Sequence, residues 1–204
     1  FSYLSPEIPR FIDDNCVGCM DCVTQCPDTA ILAKVVSEPA LEEYLSQEAD
    51  PEQRERLRGH FVSTTKYYDV PKRRGGTGGL FGIFIDPTKC KGCAECVEAC
   101  GSHEALTMIQ KEHEVVPSYQ RDFTFYQELP ATSKEFINEK SLVDMMLASD
   151  ALLYTGGAGS CMGCGETTAI RLMLAATGFV YGPDQVGIVA ATGCNTVFGS
   201  TYPY

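Results

Sequence analysis

The sequence has few basic residues and no long apolar run. Lys and Arg number 16 against 27 Asp and Glu, which gives a net charge of −11. This acidic balance argues against a general nucleic-acid binder, because phosphate contacts need clustered Lys and Arg. No apolar run approaches the roughly 18 residues that a membrane span needs. We therefore expect neither a nucleic-acid partner nor a membrane anchor.

The sequence also lacks the marks of a secreted protein. It opens on Phe1 rather than Met, and residues 1–10 lack the basic start, apolar core and small-residue cleavage site of a secretory signal. We expect a cytoplasmic location and interpret the chain as a piece of a longer protein. Its 204 residues, 44% of them hydrophobic, are enough for one medium domain or two small ones.

What the sequence has in abundance is cysteine, with 11 clustered residues. Because cytosolic thiols stay reduced, we expect these cysteines to bind metal rather than form disulfides. Two runs share the spacing Cys-x2-Cys-x2-Cys-x3-Cys and form an internal repeat, each preceded by an Ile-Asp lead-in and followed by a strand-like start at Ala30-Ile31 or Ala105-Leu106. The runs consist of Cys16, Cys19, Cys22 and Cys26, and of Cys90, Cys93, Cys96 and Cys100.

The spacing of these runs is typical of bacterial ferredoxins with two 4Fe-4S clusters, in which three cysteines of a run bind one cluster and the fourth binds the other. The pattern predicts one cluster on Cys16, Cys19, Cys22 and Cys100, and another on Cys90, Cys93, Cys96 and Cys26. Two zinc sites are the alternative, but zinc ribbons use Cys-x2-Cys pairs separated by a longer loop, which favours iron–sulfur. Only Cys26 is followed by proline, so we expect the turn after Cys100 to differ.

An insert of about residues 35–80 separates the two runs. A short helix is predicted over 41–46, and Asp50-Pro51 predicts the cap and first position of a charged helix that ends at Arg58. Residues 72–79 (KRRGGTGG) combine three cations with four glycines, which disfavours a fixed element. This segment is interpreted either as a mobile solvated loop or as a basic contact for an acidic partner protein or phosphate group.

The second half reads as a connecting segment and a helix, followed by a segment of α/β character. Residues 117–130 show no period and are interpreted as a connecting segment on a surface, whereas 133–147 predicts a helix capped by Ser133 that packs on the next domain. A buried helix is predicted over 167–177, ended by Gly178, and a buried parallel strand over 186–191. One helix and one strand cannot close a doubly wound sheet, so we expect this domain to be incomplete.

Three histidines, His60, His103 and His113, lie in polar, loop-like contexts. No cysteine nucleophile or paired carboxylate accompanies them in the sequence. We expect them to be solvated surface residues rather than catalysts, and the sequence suggests no Ser/His/Asp arrangement.

The remaining cysteines form a third motif, Gly159-Ser160-Cys161-Met162-Gly163-Cys164-Gly165-Glu166-Thr167, followed later by Ala190-Ala191-Thr192-Gly193-Cys194-Asn195. On spacing alone a zinc turn or simply buried thiols remain alternatives. Together, the two segments resemble the thiamine-diphosphate domain of the pyruvate:ferredoxin oxidoreductases and related 2-oxoacid oxidoreductases. In long single-chain members of that family, a two-cluster ferredoxin domain with an insert precedes the thiamine domain, as in this order of motifs.

The resemblance implies a fold and a domain organisation. The fold class is an α+β ferredoxin-like two-cluster domain followed by the beginning of an α/β thiamine-diphosphate-binding domain. The implied domains are residues 1–115 with the insert at about 35–80, a connecting segment and helix over 116–150, and an incomplete thiamine-diphosphate domain over 151–204.

The resemblance also implies a third 4Fe-4S cluster on Cys161, Cys164 and Cys194, completed by a cysteine outside this chain. Glu166 and Cys194 would contact thiamine diphosphate, although Glu166 has the alternative role of a carboxylate that stabilises a helix N-terminus. The sequence contains no Gly-Asp-Gly motif, so the Mg2+-diphosphate part of that cofactor would need residues from elsewhere.

The implied activity is the oxidative decarboxylation of a 2-oxoacid, such as pyruvate, to acyl-CoA and CO2 in anaerobic metabolism. Electrons would leave through three 4Fe-4S clusters to a ferredoxin or flavodoxin, and coenzyme A would take up the acyl group. Other partners would be the remaining domains or subunits and further copies of the enzyme in a homo-oligomer. The alternative is a two-cluster, ferredoxin-like electron-transfer subunit without substrate chemistry.

Overall fold

The computed structural model describes residues 4–148, 151, 153–191 and 193–199, with the backbone alone at 198–199. The fold is α+β, with two small antiparallel sheets and helices around them. The strands are β1 (Glu7–Phe11), β2 (Ile31–Ser37), β3 (Phe61–Ser63), β4 (Gly79–Ile85) and β5 (Leu106–Gln110). The α-helices are α1 (Asp21–Gln25), α2 (Glu38–Leu45), α3 (Pro51–Arg58), α4 (Val70–Arg73), α5 (Glu95–Cys100), α6 (Val115–Glu128), α7 (Leu142–Met145), α8 (Gly165–Tyr181) and α9 (Cys194–Gly199).

The two sheets join the halves of the cysteine repeat. β1 pairs with β5, so that Phe11 lies opposite Leu106, and β4 lies between β2 and β3 in the other sheet. The strand starts predicted after each cysteine run are confirmed, since β2 begins at Ile31 and β5 at Leu106. Every residue of β4 is buried, because α6 covers it in addition to its two neighbouring strands.

The insert between β2 and β4 contains α2, α3, β3 and α4. Helix α2 begins at Glu38, earlier than predicted, because Pro39 fits the first helical turn. Helix α3 is confirmed: the Asp50 carboxylate accepts a hydrogen bond from the Glu52 N–H at 3.0 Å, and the helix ends at Arg58. These elements place a helical layer beside the sheet of β2, β4 and β3.

The basic, glycine-rich segment is more ordered than its composition indicates. Helix α4 extends to Arg73, and Gly79 opens β4. A Cβ atom on Gly78 would lie 2.6 Å from the Tyr68 ring, so the ring packs directly against the backbone there. The prediction that no fixed element forms is therefore wrong at both ends of 72–79. At the C-terminal end, neighbouring side chains pack against glycine backbone in space that a side chain would otherwise fill.

The interpretation of 117–130 as an aperiodic connection is wrong, because α6 spans Val115–Glu128. Its buried face carries Val116, Tyr119, Asp122 and Phe125, which follow a helical period. The helical period of apolar residues is interrupted in the sequence by Asp122, because this carboxylate lies on the buried face. Asp122 pairs there with Arg56 from α3. Pro117 is tolerated because it occupies the first turn, where its missing N–H has no helical partner.

The single helix predicted over 133–147 is broken into two short pieces. A 3-10 helix covers Lys134–Phe136, and α7 follows after a turn. The turn is held by side chains: the Asn138 N–H donates to Asp144 at 3.3 Å, and the Lys140 N–H donates to the Asn138 side chain at 3.1 Å. These bonds engage amides that a continuous helix would use. The predicted packing on the next segment is confirmed, since α7 contacts α8.

Helix α8 is longer than predicted. It continues through Gly178, which is buried, and ends at Tyr181; the next residue is Gly182, whose φ of +90° favours glycine. The strand predicted over 186–191 is not formed, and Val189 is fully exposed. A parallel strand needs a hydrogen-bonded neighbour, and the described residues offer none beside this segment. Thr192 of the second motif lies outside the described residues, as do 200–204 of the predicted thiamine domain.

None of the helices in the described part of the chain combines the length and apolarity that crossing a membrane requires.

Candidate metal centres

Four cysteines surround a first cavity, and they come from both runs. The cavity lies between β1, α1 and the start of β5, and Phe11, Phe81 and Leu106 contribute to its wall. Its cysteines are Cys16, Cys19, Cys22 and Cys100. The structure therefore brings together the set of residues predicted for one cluster, including the partner from the other run.

The other four cysteines surround a second cavity. Pro9, Ile31 and Ala94 contribute to its wall. Its cysteines are Cys26, Cys90, Cys93 and Cys96. Each site comprises about 340 Å³ of space outside protein atoms, including space open to solvent, so the two sites are similar in extent.

The cysteine runs share an unusual backbone geometry. Positive φ angles occur at Gly18 and Gly92, at +72° and +73°, and at Met20 and Ala94, at +74° and +66°. Left-handed conformations are costly for Met and Ala, so their recurrence at matched positions shows that the two turns are wound in the same way. The winding directs N–H groups at sulfur: Gly18 donates to Cys16 and Gly92 donates to Cys90.

The turns after the runs differ by one residue, as the missing proline suggested. The Ala30 N–H donates to the Cys26 sulfur and the Ala105 N–H to the Cys100 sulfur, both at 3.2 Å. Three residues separate the first pair and four separate the second, with Gly101 at a φ of +55° absorbing the extra residue. The same sulfur contact is thus made by turns of different length.

Burial raises the pKa of several cysteine thiols around the two cavities, which favours their protonated form when no metal is bound. It raises the pKa of Cys16 and of Cys90 to about 11, partly opposed by the N–H donors on each sulfur. Burial also raises the pKa of Cys22 and of Cys96, and neighbouring cysteines add to the effect. Thiolates must form for a metal to bind, so loading either site would release protons.

The arrangement fits a cluster better than a single ion. One zinc ion binds its sulfurs at about 2.3 Å, so they must converge on a point. Among the residues that the structure describes, no three His, Cys, Asp or Glu side chains converge in this way. All 11 cysteines are free, and eight of them line the two cavities. Four thiols around a shared space are the donor set that a 4Fe-4S cluster uses.

The third motif lies against the second cavity. Cys161 and Cys194 are exposed, Cys164 is half-buried, and none of the three lines either cavity. The Gly163 N–H, between Cys161 and Cys164, donates to the Cys93 sulfur. The structure thus places the 161–164 turn beside Cys93 of the second cavity. It does not gather Cys161, Cys164 and Cys194 around a cavity of their own.

Glu166 lies in the first turn of α8 and is exposed. This position is compatible with both of its predicted roles, because a carboxylate there faces the positive end of the helix dipole and is also free to meet a cofactor. The neighbouring Thr167 is fully buried, and its hydroxyl donates to the Cys164 carbonyl at 2.8 Å. The N-terminus of α8 is therefore anchored, with Glu166 directed away from the core.

Sequence reasoning missed a buried polar junction between the second cavity and the third motif. Lys91 is 5% exposed; its Nζ lies 3.1 Å from Asp28 and donates to the Ser160 carbonyl at 2.9 Å. Arg171, fully buried, donates to Thr29 at 2.8 Å and to the Thr24 carbonyl at 3.1 Å. Lys91 directly follows Cys90 and Asp28 lies two residues after Cys26, which was the available signal in the sequence. Nothing in the sequence marked Arg171, which reads as one cation on a helix.

His60 is not the solvated residue that the sequence suggested. Its ring stacks on Phe84 at 4.6 Å, its Nδ1 lies 2.9 Å from the Ile83 carbonyl oxygen, and its Nε2 lies 3.2 Å from Asp122. Burial acts to raise the pKa of Asp122, but hydrogen bonds from His60 and Arg56 outweigh it and hold that pKa below its usual range. These contacts join α6 to the insert, and none of the three residues lines either cavity. His103 is exposed, as expected, but lies at the rim of the first cavity.

Comparison with known proteins relates the chain to one group of enzymes. No protein-family model matches it. It is 29% identical over 208 residues to a probable pyruvate-flavodoxin oxidoreductase of Escherichia coli, 28% over 201 residues to the pyruvate:ferredoxin oxidoreductase of Moorella thermoacetica, and 30% over 206 residues to a pyruvate-flavodoxin oxidoreductase of Nostoc. Each alignment covers 98% of this chain and 15% of the relative. Almost the whole chain is therefore homologous to one segment of the pyruvate:ferredoxin and pyruvate-flavodoxin oxidoreductases, the family that its cysteine motifs predict.

Proposed function

We propose that this chain is the electron-transfer segment of a 2-oxoacid oxidoreductase, together with the beginning of its thiamine-diphosphate domain. The observation that carries the proposal is the exchange of cysteines between the two runs, so that each cavity is lined by three cysteines of one run and one of the other. The relatives' names support a pyruvate-type substrate and a ferredoxin or flavodoxin acceptor. Residues 1–115 would form the ferredoxin-like domain and 151–204 the start of the thiamine domain.

The residues of the two cavities provide what a pair of 4Fe-4S clusters requires. When bound, the clusters would accept and release single electrons, and thiamine diphosphate would supply the carbanion chemistry of decarboxylation. The eight cysteines would hold the iron atoms, while N–H groups of residues such as Gly18, Gly92 and Gly163 donate to sulfur and favour the thiolate form. Apolar residues make up much of the walls of both sites.

The third motif would hold a further cluster and part of the cofactor. Cys161, Cys164 and Cys194 would supply three ligands, and a cysteine from outside the chain would supply the fourth. Glu166 and Cys194 would contact thiamine diphosphate, whose Mg2+ needs residues that this chain lacks. Because the 161–164 turn contacts Cys93, the second cavity is the neighbour of this third site. The sites would then follow one another in space in the order third site, second cavity, first cavity.

A carrier subunit without substrate chemistry is the second candidate. One observation favours it: Cys161 and Cys194 are exposed and share no cavity with the other cysteines. Under this alternative, 151–204 would serve only to dock the subunit. The contact between Gly163 and Cys93 argues for the first candidate, because a docking segment has no need to donate a hydrogen bond to a cluster ligand.

The complete enzyme that contains this chain tests the proposal. Purified without oxygen, it should reduce ferredoxin or flavodoxin when given pyruvate and coenzyme A, and release CO2 in proportion. Omitting coenzyme A or removing thiamine diphosphate should abolish sustained turnover. An enzyme that carries both ferredoxin-type clusters but oxidises no 2-oxoacid would favour the carrier.

A further inference from the structure

Arg171 is the most unusual charged residue near the two cavities. It lies on α8, in the predicted thiamine domain, yet its side chain is fully buried against the end of the first cysteine run. Burying a guanidinium group costs free energy unless every nitrogen is paired. Its Nη2 has no hydrogen-bond partner among the described residues. A buried cation with an unsatisfied nitrogen indicates a role beyond packing.

The guanidinium group is fixed around the Cys26 turn. Its Nε donates to the Thr29 hydroxyl oxygen at 2.8 Å, and its Nη1 donates to the Thr24 carbonyl oxygen at 3.1 Å. These two acceptors lie on either side of Cys26 in sequence. Thr29 has a φ of +52°, a strained conformation for a β-branched residue, and its hydroxyl donates to the Tyr154 carbonyl at 2.5 Å. The turn is thus held in an unfavourable conformation that presents its hydroxyl oxygen to Arg171.

The charge of Arg171 acts on a cluster ligand. Arg171 interacts electrostatically with Cys26, which lines the second cavity. The nearby buried Lys91 is balanced by Asp28 at 3.1 Å, and Lys111, which acts on Cys90, is only half-buried and so partly screened by water. Within the described residues no carboxylate forms a salt bridge with Arg171. Arg171 is therefore an uncompensated positive charge in a water-poor setting.

The charged groups that act on the first cavity are carboxylates, whereas Cys93 of the second cavity feels the carboxylate of Glu95 in a site that also has the cations described above. The carboxylates of Asp13 and Asp21 act on Cys16 and Cys19 and raise the pKa of each thiol, after burial itself. The equivalent of Thr29 in the other turn is Glu104, which shares its φ of +52° and is exposed. The two sites match in cysteines and backbone, but they differ in the charge placed beside them. Net charge and hydrogen bonds at sulfur are what set the potential of an iron–sulfur cluster.

Resting on the function proposed above, we propose that Arg171 sets the reduction potential of the cluster site in the second cavity. Reduction adds one electron to that site, supplied by oxidation of the 2-oxoacid and later passed to the ferredoxin or flavodoxin, and no covalent bond changes at Arg171. A fixed positive charge stabilises the reduced state, which is more negative by one unit. Arg171 therefore raises the potential of the site next to the third cysteine motif, and it ties that potential to the docking of α8.

Redox titration of the complete enzyme, followed by electron paramagnetic resonance, tests this role. In Arg171→Met, the midpoint potential of one cluster should fall, so that its reduced-to-oxidised ratio at a fixed solution potential drops tenfold or more. For a one-electron couple, a tenfold change in this ratio corresponds to a shift of about 59 mV in the midpoint potential. The other clusters should keep their potentials. Arg171→Lys retains the charge and should keep the ratio within about threefold of wild type. An unchanged potential in Arg171→Met with full iron content, or an equal fall in Arg171→Lys, would overturn the proposal.

A second pair of variants decides the matter if Arg171→Met loses iron. Thr29→Asp places a carboxylate beside Arg171 Nε and cancels its charge without removing the side chain, while Thr29→Asn is its neutral control. Both Asp and Asn tolerate positive φ. The potential in Thr29→Asp should lie below that in Thr29→Asn by the same tenfold ratio. Equal potentials in the two variants would exclude tuning by charge at this place.

A half-buried cation elsewhere provides a control. Lys34 Nζ donates to the Tyr126 carbonyl at 2.7 Å and the Leu129 carbonyl at 2.9 Å, and Lys34 lines neither cavity. Lys34→Met should leave every cluster potential unchanged. Failure of the proposed function would be seen separately, as an enzyme without iron and sulfide. A wild-type potential in a fully loaded Arg171→Met enzyme would refute only the role of Arg171.

Discussion

The Gly163 N–H donates a hydrogen bond to the Cys93 sulfur, which joins the third cysteine motif to the second cavity. Gly163 has a φ of +66°, and a Cβ atom there would lie 2.7 Å from the Glu95 side chain. The backbone conformation therefore favours glycine at this position, and any larger residue would also displace the Glu95 carboxylate.

Gly163→Ala should weaken the contact between the 161–164 turn and Cys93. The left-handed conformation costs a non-glycine residue roughly 1–2 kcal/mol, so we expect amide exchange in 161–164 to accelerate by about tenfold. Hydrogen exchange in the complete enzyme measures this. Gly75→Ala is the control, because Gly75 has a φ of +82° with no neighbour within 4 Å and lies outside the cysteine motifs. Unchanged exchange of 161–164 in Gly163→Ala would contradict the assigned contact.

The exchange of ligands between runs predicts paired outcomes. Cys26→Ala should damage the cluster of the second cavity and leave that of the first cavity mostly intact, because Cys26 lines only the second. Cys100→Ala should do the reverse. Iron analysis with electron paramagnetic resonance distinguishes the two clusters. If Cys26→Ala instead damaged the cluster held by Cys16, the assignment of ligands would be wrong.

Glu166→Gln distinguishes a cofactor contact from a helix-stabilising charge. The variant keeps size and helix propensity but removes the charge, so we expect thiamine diphosphate affinity or turnover to fall tenfold or more, about 1.4 kcal/mol. Iron content and thermal stability should be preserved. Glu52→Gln alters a carboxylate in the first turn of α3 and should leave turnover unchanged. Wild-type turnover and affinity in Glu166→Gln would leave Glu166 with the helix role alone.

The Asp122 network should stabilise the joint between α6 and the insert. The folded-state pKa of Asp122 is lowered, so its contribution is present above the unfolded pKa of about 3.9 and is lost as the pH falls through the folded value. At neutral pH, Asp122→Asn should weaken this joint by roughly 1–3 kcal/mol. Hydrogen exchange in 51–58 and 115–128 should accelerate in the variant. Protection equal to wild type would show that the ion pair with Arg56 contributes little.

Sequence reasoning was most informative where chemistry dictates spacing. The grouping of eight cysteines, the α3 cap at Asp50 and the strands after each run all follow from local rules that tertiary structure did not override. The same rules failed for α6, because Asp122 occupies a buried position that a period count reserves for apolar residues. Its partners Arg56 and His60 come from a distant segment, and no local pattern reveals them.

Long-range pairing explains the other failures. The segment 186–191 has the composition of a buried strand, but a strand exists only beside a neighbour. The Arg171 side chain is buried because Thr24 and Thr29 of another segment accept its hydrogen bonds, and that pairing depends on how α8 docks. Similarly, the fixed C-terminal end of 72–79 depends on Tyr68 and Phe136, whose rings pack against glycine backbone.

The metal and cofactor content of the complete enzyme tests the central claim most directly. Anaerobic analysis of iron, acid-labile sulfide and thiamine diphosphate should give about twelve irons per complete protein, with matching sulfide, if three 4Fe-4S clusters form. One thiamine diphosphate should be bound per complete protein, because each complete protein has one third site. A fully active protein with only about eight irons and no thiamine diphosphate, or one with zinc in place of iron, would contradict the account.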